Sequence, residues 1–387
     1  MIRKRKEEDA YSLKTRQIKI GNPKTMRERS IPSPNFHRIR QTLMLQGEGD
    51  RVPIAEIFVD PYIKELFLKK PIQSLEDHVE FYYRAGYDYV ELRQGLGILM
   101  GKSYSHDNLS STQISYTRAS GEHMPVRRRV WAQEHKGVIH DAESLAHYAW
   151  PHIEDFDFSD FEEIKRILPD GMKVIAVGGK VFSFAWELMG FENFCLSLMT
   201  DIGLVQRLME KIATIQLQIF ERMAGFEVVG AMWLADDLAY STGLTVSPEF
   251  YRKHLFPWFA EYKKICQRQD TPLIYHTDGC VLEVMDDLIA CGVNALHPIE
   301  PKAMDIYKLK EIYGKKLCLM GNIDVGETLT RGNPETIEEE VKLKISRLAP
   351  GGGYCIGSSN SIPDYVPLEN YIALLEASFN YGHYPIH

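Results

Sequence analysis

Eight short apolar or β-branched runs, separated by longer amphipathic stretches, constrain this chain more than any other feature. They are Val52–Val59, Tyr87–Leu92, Lys173–Val177, Val228–Leu234, Pro272–His276, Ala295–Pro298, Lys316–Met320 and Gly353–Ile356. Alternation of this kind marks βα units feeding a parallel sheet. Eight such units fit a closed α/β (β/α)8 TIM barrel. The competing arrangement is an open doubly wound sheet. No G-x-G-x-x-G follows a strand, which weakens a dinucleotide-binding version of it. Helix starts fall where the barrel needs them. Ser74 with Asp77 reads as a capping box, and Ser247-Pro248 and Asn333-Pro334 read as caps followed by proline in the first turn. The stretch from Phe191 to Met223 is long enough for two helices.

Two segments depart from the alternation. Residues 1–36 are polar and lack clean periodicity, and are expected to form an N-terminal extension to a barrel spanning 37–387. The stretch from Gly95 to Pro151 is too long for a simple loop. Alternating runs at Thr112–Tyr116 and Val126–Trp131 predict a hairpin-like insertion after the second strand, about residues 95–150, lying over the barrel mouth as a lid.

Composition narrows the class. Of 387 residues, 44% are hydrophobic and 25% charged, an ordinary globular balance. The net charge of -8 does not favour nucleic acid, and Arg3-Lys4-Arg5-Lys6 and Arg127-Arg128-Arg129 read as solvated surface. No run approaches a membrane span, and the charged N-terminus reads as no signal peptide. The six cysteines form no C-x-x-C and no secreted disulfide framework, so a reducing, cytoplasmic setting is expected.

A barrel carries its chemistry at the C-terminal strand ends and the loops that follow. That rule selects Glu91 and Arg93, Asp236 and Asp237, His276 and Asp278, His297 and Glu300, Asn322 and Asp324, and the run from Ser358 to Ser361. His276 and Asp278, two residues apart, can reach one small ion, as zinc takes N and O ligands; equally, they can form a hydrogen-bonded pair without metal. Asp236 and Asp237 offer a ligand or general base, or else cap backbone amides. The run Gly351-Gly352-Gly353 precedes the eighth strand, so a tight turn is a better reading than a phosphate cradle. Trp186, Trp233, Phe182 and Phe184 are candidates for an apolar substrate pocket, with the core as the alternative.

These residues resemble a known family. Gly321-Asn322-Ile323-Asp324, His276-Thr277-Asp278-Gly279, Gly292-Val293-Asn294 and Val366-Pro367-Leu368-Glu369-Asn370 are similar to segments of the uroporphyrinogen decarboxylase superfamily. Arg51-Val52-Pro53 and Ser247-Pro248-Glu249 fit as well, in consistent order over residues 37–387. The resemblance implies a (β/α)8 barrel, and either a haem-pathway decarboxylase or a corrinoid-linked methyltransferase. The decarboxylases carry M-R-Q-A-G-R-Y after the first strand, where this chain reads Ile57-Phe58-Val59-Asp60-Pro61-Tyr62. The arginines that hold the tetrapyrrole carboxylates are missing, and Asn360-Ser361 stands in place of a G-H-G. The methyltransferases acting on coenzyme M hold zinc with H-x-C and a later cysteine. Here His276 matches, Asp278 replaces the first cysteine, and Asn360 stands near the second.

The resemblance therefore implies a methyltransferase moving a methyl group from a small methylated substrate, O-methyl and methoxyaromatic by preference, to a cobalt corrinoid on a partner protein. The expected roles are His276, Asp278 and Glu300 for a zinc ion, Asp237, Asp278 and Asn322 for catalysis, and Trp186, Trp233, Asn360 and Glu91 for substrate. A decarboxylase or lyase acting on a smaller acid is one alternative, and a non-catalytic family member that only binds a corrinoid protein or ligand is the other. Neither nucleic acid nor membrane is an expected partner, and the reading admits a homodimer.

Overall fold

The computed structural model of the chain describes residues 33–95, 109–114, 127–132 and 137–386. Eleven strands are described: β1 (Tyr89–Arg93), β2 (Leu109–Ile114), β3 (Arg127–Ala132), β4 (Lys173–Gly178), β5 (Val229–Ala235), β6 (Ala239–Tyr240), β7 (Gly243–Leu244), β8 (Leu273–His276), β9 (Ala295–His297), β10 (Cys318–Ile323) and β11 (Tyr354–Ser358). Seven of them form one parallel sheet in the order β1-β4-β5-β8-β9-β10-β11. Helices lie between successive strands, and β4, β10 and β11 are almost wholly buried, as a sheet covered on both faces requires. This is an α/β architecture of TIM-barrel type.

The first run of the sequence corrects the expectation of eight regular strands. Ile54 and Val59 make only isolated parallel bridges, to Ile356 and Ile362. Pro53 has no N–H to give a ladder, though its carbonyl accepts from Ile356 N at 2.9 Å. On the other side, the side chains of β1 take the place of a strand partner. The Tyr89 hydroxyl donates to Glu56 O at 2.6 Å and accepts from Glu56 N at 2.7 Å. Arg93 Nη2 donates to Ile57 O at 3.3 Å. A Cβ at Gly357 would stand 2.0 Å from Ala55 O, so only glycine lets the segment lie this close to β11. Burial holds it there: Val52, Ile54, Ala55 and Val59 are at most 1% exposed.

Local signals place the helices. Ser74 Oγ accepts from Asp77 N at 3.2 Å and Asp77 Oδ2 accepts from Ser74 N at 3.1 Å, a complete capping box. Ser247 and Asn333 cap their helices with Pro248 and Pro334 in the first turn. Two helices, Phe191–Thr200 and Ile202–Ala224, fill the long amphipathic stretch. Gly351, Gly352 and Gly353 all have φ between +67° and +81°, the left-handed turn that joins the preceding helix to β11.

Within the insertion, β2 and β3 pair antiparallel from Leu109↔Ala132 to Ile114↔Arg127. Residues 1–32, 96–108, 115–126, 133–136 and 387 lie outside the described residues, and with them most of the expected extension and much of the expected lid. Among the described residues no helix is long and apolar enough to cross a membrane.

Candidate active site at the strand ends

The neighbouring strands β5, β8 and β9, and β11 beyond β10, aim their C-terminal ends at one place. His276 ends β8, and His297 ends β9 as its partner across the parallel ladder. Asp236 and Asp237 follow β5, and Ser359 and Asn360 follow β11.

The adjacent aspartates have separate tasks. Asp236, 2% exposed, turns inward. Its carboxylate accepts from the backbone N–H groups of Val181, Phe182 and Ser183 at 3.0, 2.7 and 2.8 Å. These amides open the helix Phe182–Met189, whose own cap residue offers no side-chain acceptor. Burial pushes Asp236 up while the three amides pull it back. This is the amide-capping alternative raised for the pair.

Asp237 turns to the mouth. Its amide donates to Ser183 Oγ at 3.1 Å, and its Oδ1 accepts from Asp278 N at 3.0 Å. Asp237, His276 and Asp278 each offer a ligand atom, all within 4.8 Å of one another. His276 Nε2 lies 3.8 Å from Asp237 Oδ1 and 3.7 Å from Asp278 Oδ1. Burial and the neighbouring Asp237 carboxylate push the Asp278 carboxyl up to about 7. Burial pulls His276 below the ordinary histidine range. Two carboxylates this close favour a proton or a cation between them.

The remaining candidates fall differently. Glu300 Oε2 accepts from Gly279 N at 3.1 Å, and Glu300 stands outside the three-residue group, with Asp237 in its place. Asn360 Nδ2 donates to both oxygens of Asp278 at 2.9 Å, so its amide orients a carboxylate. Asn322, 1% exposed, donates to Ile299 O at 2.5 Å and accepts from Lys344 Nζ. Its side chain serves the outer helix Pro334–Leu348 instead of the mouth.

Trp233 is wholly buried in the core with its ring edge-on to His297, so it does not line a pocket. Phe182 and Phe184 are likewise core. Trp186 is half-buried and packs on Phe191, which in turn meets Tyr240 at the cavity rim. Glu91 accepts from Arg93 Nε at 2.6 Å and borders a separate cavity of about 450 Å³ with Lys64 and His78.

The cavity beside the three-residue group has a volume of about 630 Å³ and is lined by Tyr240, Asp278, Glu300, Asn360, Ser361 and Tyr365 among others. Sequence reasoning named His297 only as a strand-end residue; its register with His276 was the signal for more. Tyr240 and Tyr365 carried no signal, because the one sits in a two-residue strand too short to read and the other in a turn.

The six cysteines are free thiols, and Cys355 lies buried within β11. None belongs to the Asp237–His276–Asp278 group.

Residues 158–381 match the family described as uroporphyrinogen decarboxylase (URO-D). A methylcobamide:CoM methyltransferase of Methanosarcina barkeri is 31% identical over 162 residues, 41% of this chain and 43% of that protein. A uroporphyrinogen decarboxylase of Geobacter sulfurreducens is 22% identical over 223 residues, 55% of this chain and 62% of that protein. The matches thus span less than two thirds of either relative. Among solved structures, a methyltransferase from Methanosarcina mazei superposes with a TM-score of 0.63 at 18% identity, covering 89% of this chain and 98% of that one. At that identity the likeness speaks for the fold.

Proposed function

Because the chain belongs to the uroporphyrinogen decarboxylase family, we propose that it is an enzyme of the family's methyl-transferring kind. It takes a methyl group from a small methylated compound, an O-methyl donor such as an aryl methyl ether, and passes it to a cobalt corrinoid carried by a partner protein. The observation that carries this reading is the Asp237–His276–Asp278 group, an all N/O donor set at the strand ends beside an open cavity.

The donor set fits a divalent ion such as zinc. Zn–N and Zn–O bonds of about 2.0–2.2 Å put neighbouring ligand atoms roughly 3.3–3.5 Å apart. The 3.7 and 3.8 Å from His276 Nε2 to the two carboxylates need only a small contraction, and all three ligand atoms lie within 4.8 Å of one another. His276 Nε2 and one oxygen each of Asp237 and Asp278 would hold the ion. When bound, it supplies Lewis acidity toward an ether oxygen, and more of it than a thiolate-rich site would.

The chain's own residues do the rest. Ser183 and the Asp278 amide hold Asp237 in place, and Asn360 holds Asp278. Glu300, raised by burial and by Asp278, is a proton donor at the cavity wall. In the transfer the methyl C–O bond breaks and its electron pair stays with oxygen, which takes a proton. The methyl carbon meanwhile bonds to cobalt(I) through the metal's own pair.

A second reading follows from one observation. Without a metal, the Asp278 carboxyl at about 7 is itself a proton carrier, which suits a decarboxylase or lyase acting on a small acid. Metal analysis of purified protein, with absorbance of a corrinoid protein over a panel of methoxylated aromatics, separates the two. The methyl-transfer reading expects about one divalent ion per chain and cobalt methylation, both lost in His276→Ala with the fold retained. Full activity in metal-free protein, or in His276→Ala, overturns the metal assignment.

A further inference from the structure

Two buried histidines share a single hydrogen bond at the ends of adjacent strands. The Nδ1 atoms of His276 and His297 lie 2.8 Å apart. Their rings are 31° from coplanar with centroids 5.1 Å apart, a geometry that aims the two nitrogens at each other. Such a contact needs one proton: with none the lone pairs repel, and with two the hydrogens collide. The functional question is which ring carries it.

The surroundings are asymmetric. On the mouth side, His276 Nε2 faces Asp237 and Asp278 at 3.8 and 3.7 Å. Those distances are too long for hydrogen bonds, so an N–H there would be poorly satisfied. They suit two donors spanning a small cation. On the core side His297 is wholly buried, its Nε2 meets no partner, and its ring stands edge-on to Trp233 with centroids 4.9 Å apart. Among the described residues the His297 ring has a single hydrogen bond, to His276.

We propose that His297 is a positioning residue for the site: its Nδ1 accepts the Nδ1–H of His276, fixing the tautomer and ring angle that leave the His276 Nε2 lone pair aimed between Asp237 and Asp278. His297 keeps its own proton on Nε2, which has no hydrogen-bond partner among the described residues. An imidazole acceptor replaces the carboxylate or carbonyl that more often orients a metal-binding histidine. The hydrogen bond is read from the chain itself; only its consequence for metal affinity rests on the function proposed above.

Long-range 1H–15N spectra of protein labelled on histidine test this directly, with the His276 and His297 signals assigned by their loss in His276→Gln and His297→Leu. The expected pattern is a protonated Nδ1 and a bare Nε2 on His276, the latter shifting when zinc is added. His297→Asn, whose Oδ1 can stand near the place of Nδ1, keeps that pattern. His297→Leu loses it and binds zinc about 10- to 100-fold more weakly, with thermal melts showing a folded chain. A His276 proton on Nε2 in the wild type overturns the inference. So does a His297→Leu variant with unchanged tautomer and zinc affinity. If the wild type shows the expected tautomer yet binds no zinc, the positioning role stands and the metal reading alone falls.

Discussion

The amide nitrogen of Asn360 stands 2.9 Å from each carboxylate oxygen of Asp278. These bonds favour the charged carboxylate, against the burial and the Asp237 charge that push the group up to about 7. Removing them in Asn360→Ala is expected to raise the Asp278 midpoint above 7. Carbon NMR of labelled aspartate follows it, and an unchanged midpoint would mean that the amide does not hold the carboxylate in solution.

Glu56 and Asp278 each give the metal-free protein a contribution to stability that falls as pH rises. Burial holds the Glu56 carboxyl at about 8, with Ser358 N and Oγ donating to it at 2.6 and 2.5 Å, and Asp278 sits at about 7. Both values are raised above the unfolded carboxyl range. At these two groups the folded state therefore binds more protons than the unfolded one between the two ranges, and that advantage is lost as pH passes through the folded values. Glu56→Gln removes its share of that decline, so its urea midpoint should gain on that of the wild type between about pH 5 and pH 9. A difference between the two that does not change with pH would contradict the Glu56 assignment.

Asp236 is expected to matter for stability out of proportion to its distance from the cavity. Asp236→Ala leaves three buried amides at the start of the helix Phe182–Met189 without an acceptor. The cost should be about 2–4 kcal/mol in denaturant titrations. Asp236→Asn keeps an acceptor and should lose less. Equal losses in the two variants would show that charge, and not hydrogen bonding, is what the helix start requires.

Asn322 should separate stability from chemistry. Its backbone lies at φ +83°, a region asparagine tolerates better than most residues, and its side chain bridges Ile299 O and Lys344. Asn322→Ala adds backbone strain and strips a buried lysine of a partner, at about 2–3 kcal/mol. Zinc affinity should stay within a few-fold. Loss of zinc with stability intact would return Asn322 to the site.

The alternation of apolar runs was enough to reveal seven strands, because each is buried on both faces and carries its own hydrophobic signal. It failed at Val52–Val59, where the residues are as buried as any strand but the partners are a proline-interrupted ladder and a tyrosine hydroxyl. Strand-end position selected Asp237, His276 and Asp278. It could not separate Asp236 from Asp237, because which of two adjacent residues turns inward depends on where the helix Phe182–Met189 begins, more than fifty residues away in sequence. Nor could it separate Trp186 from Trp233, since aromatic rings serve core and cavity equally well. Asn322 misled for a related reason: its partner Lys344 lies on a helix whose facing is set by the whole barrel.

The bridge from Ile54 to Ile356 also sets an order of assembly. The segment Val52–Val59 finds its partner in β11 only after about three hundred further residues have been made. Closing so long a loop is slow, and its entropy must be met before the contact gives anything back. The sheet from β1 to β11 can form by joining neighbours in sequence, each strand to the one before it. The seam between Val52–Val59 and β11 is then the last place to zip, while the bonds of the same segment to Tyr89 and Arg93 can form early.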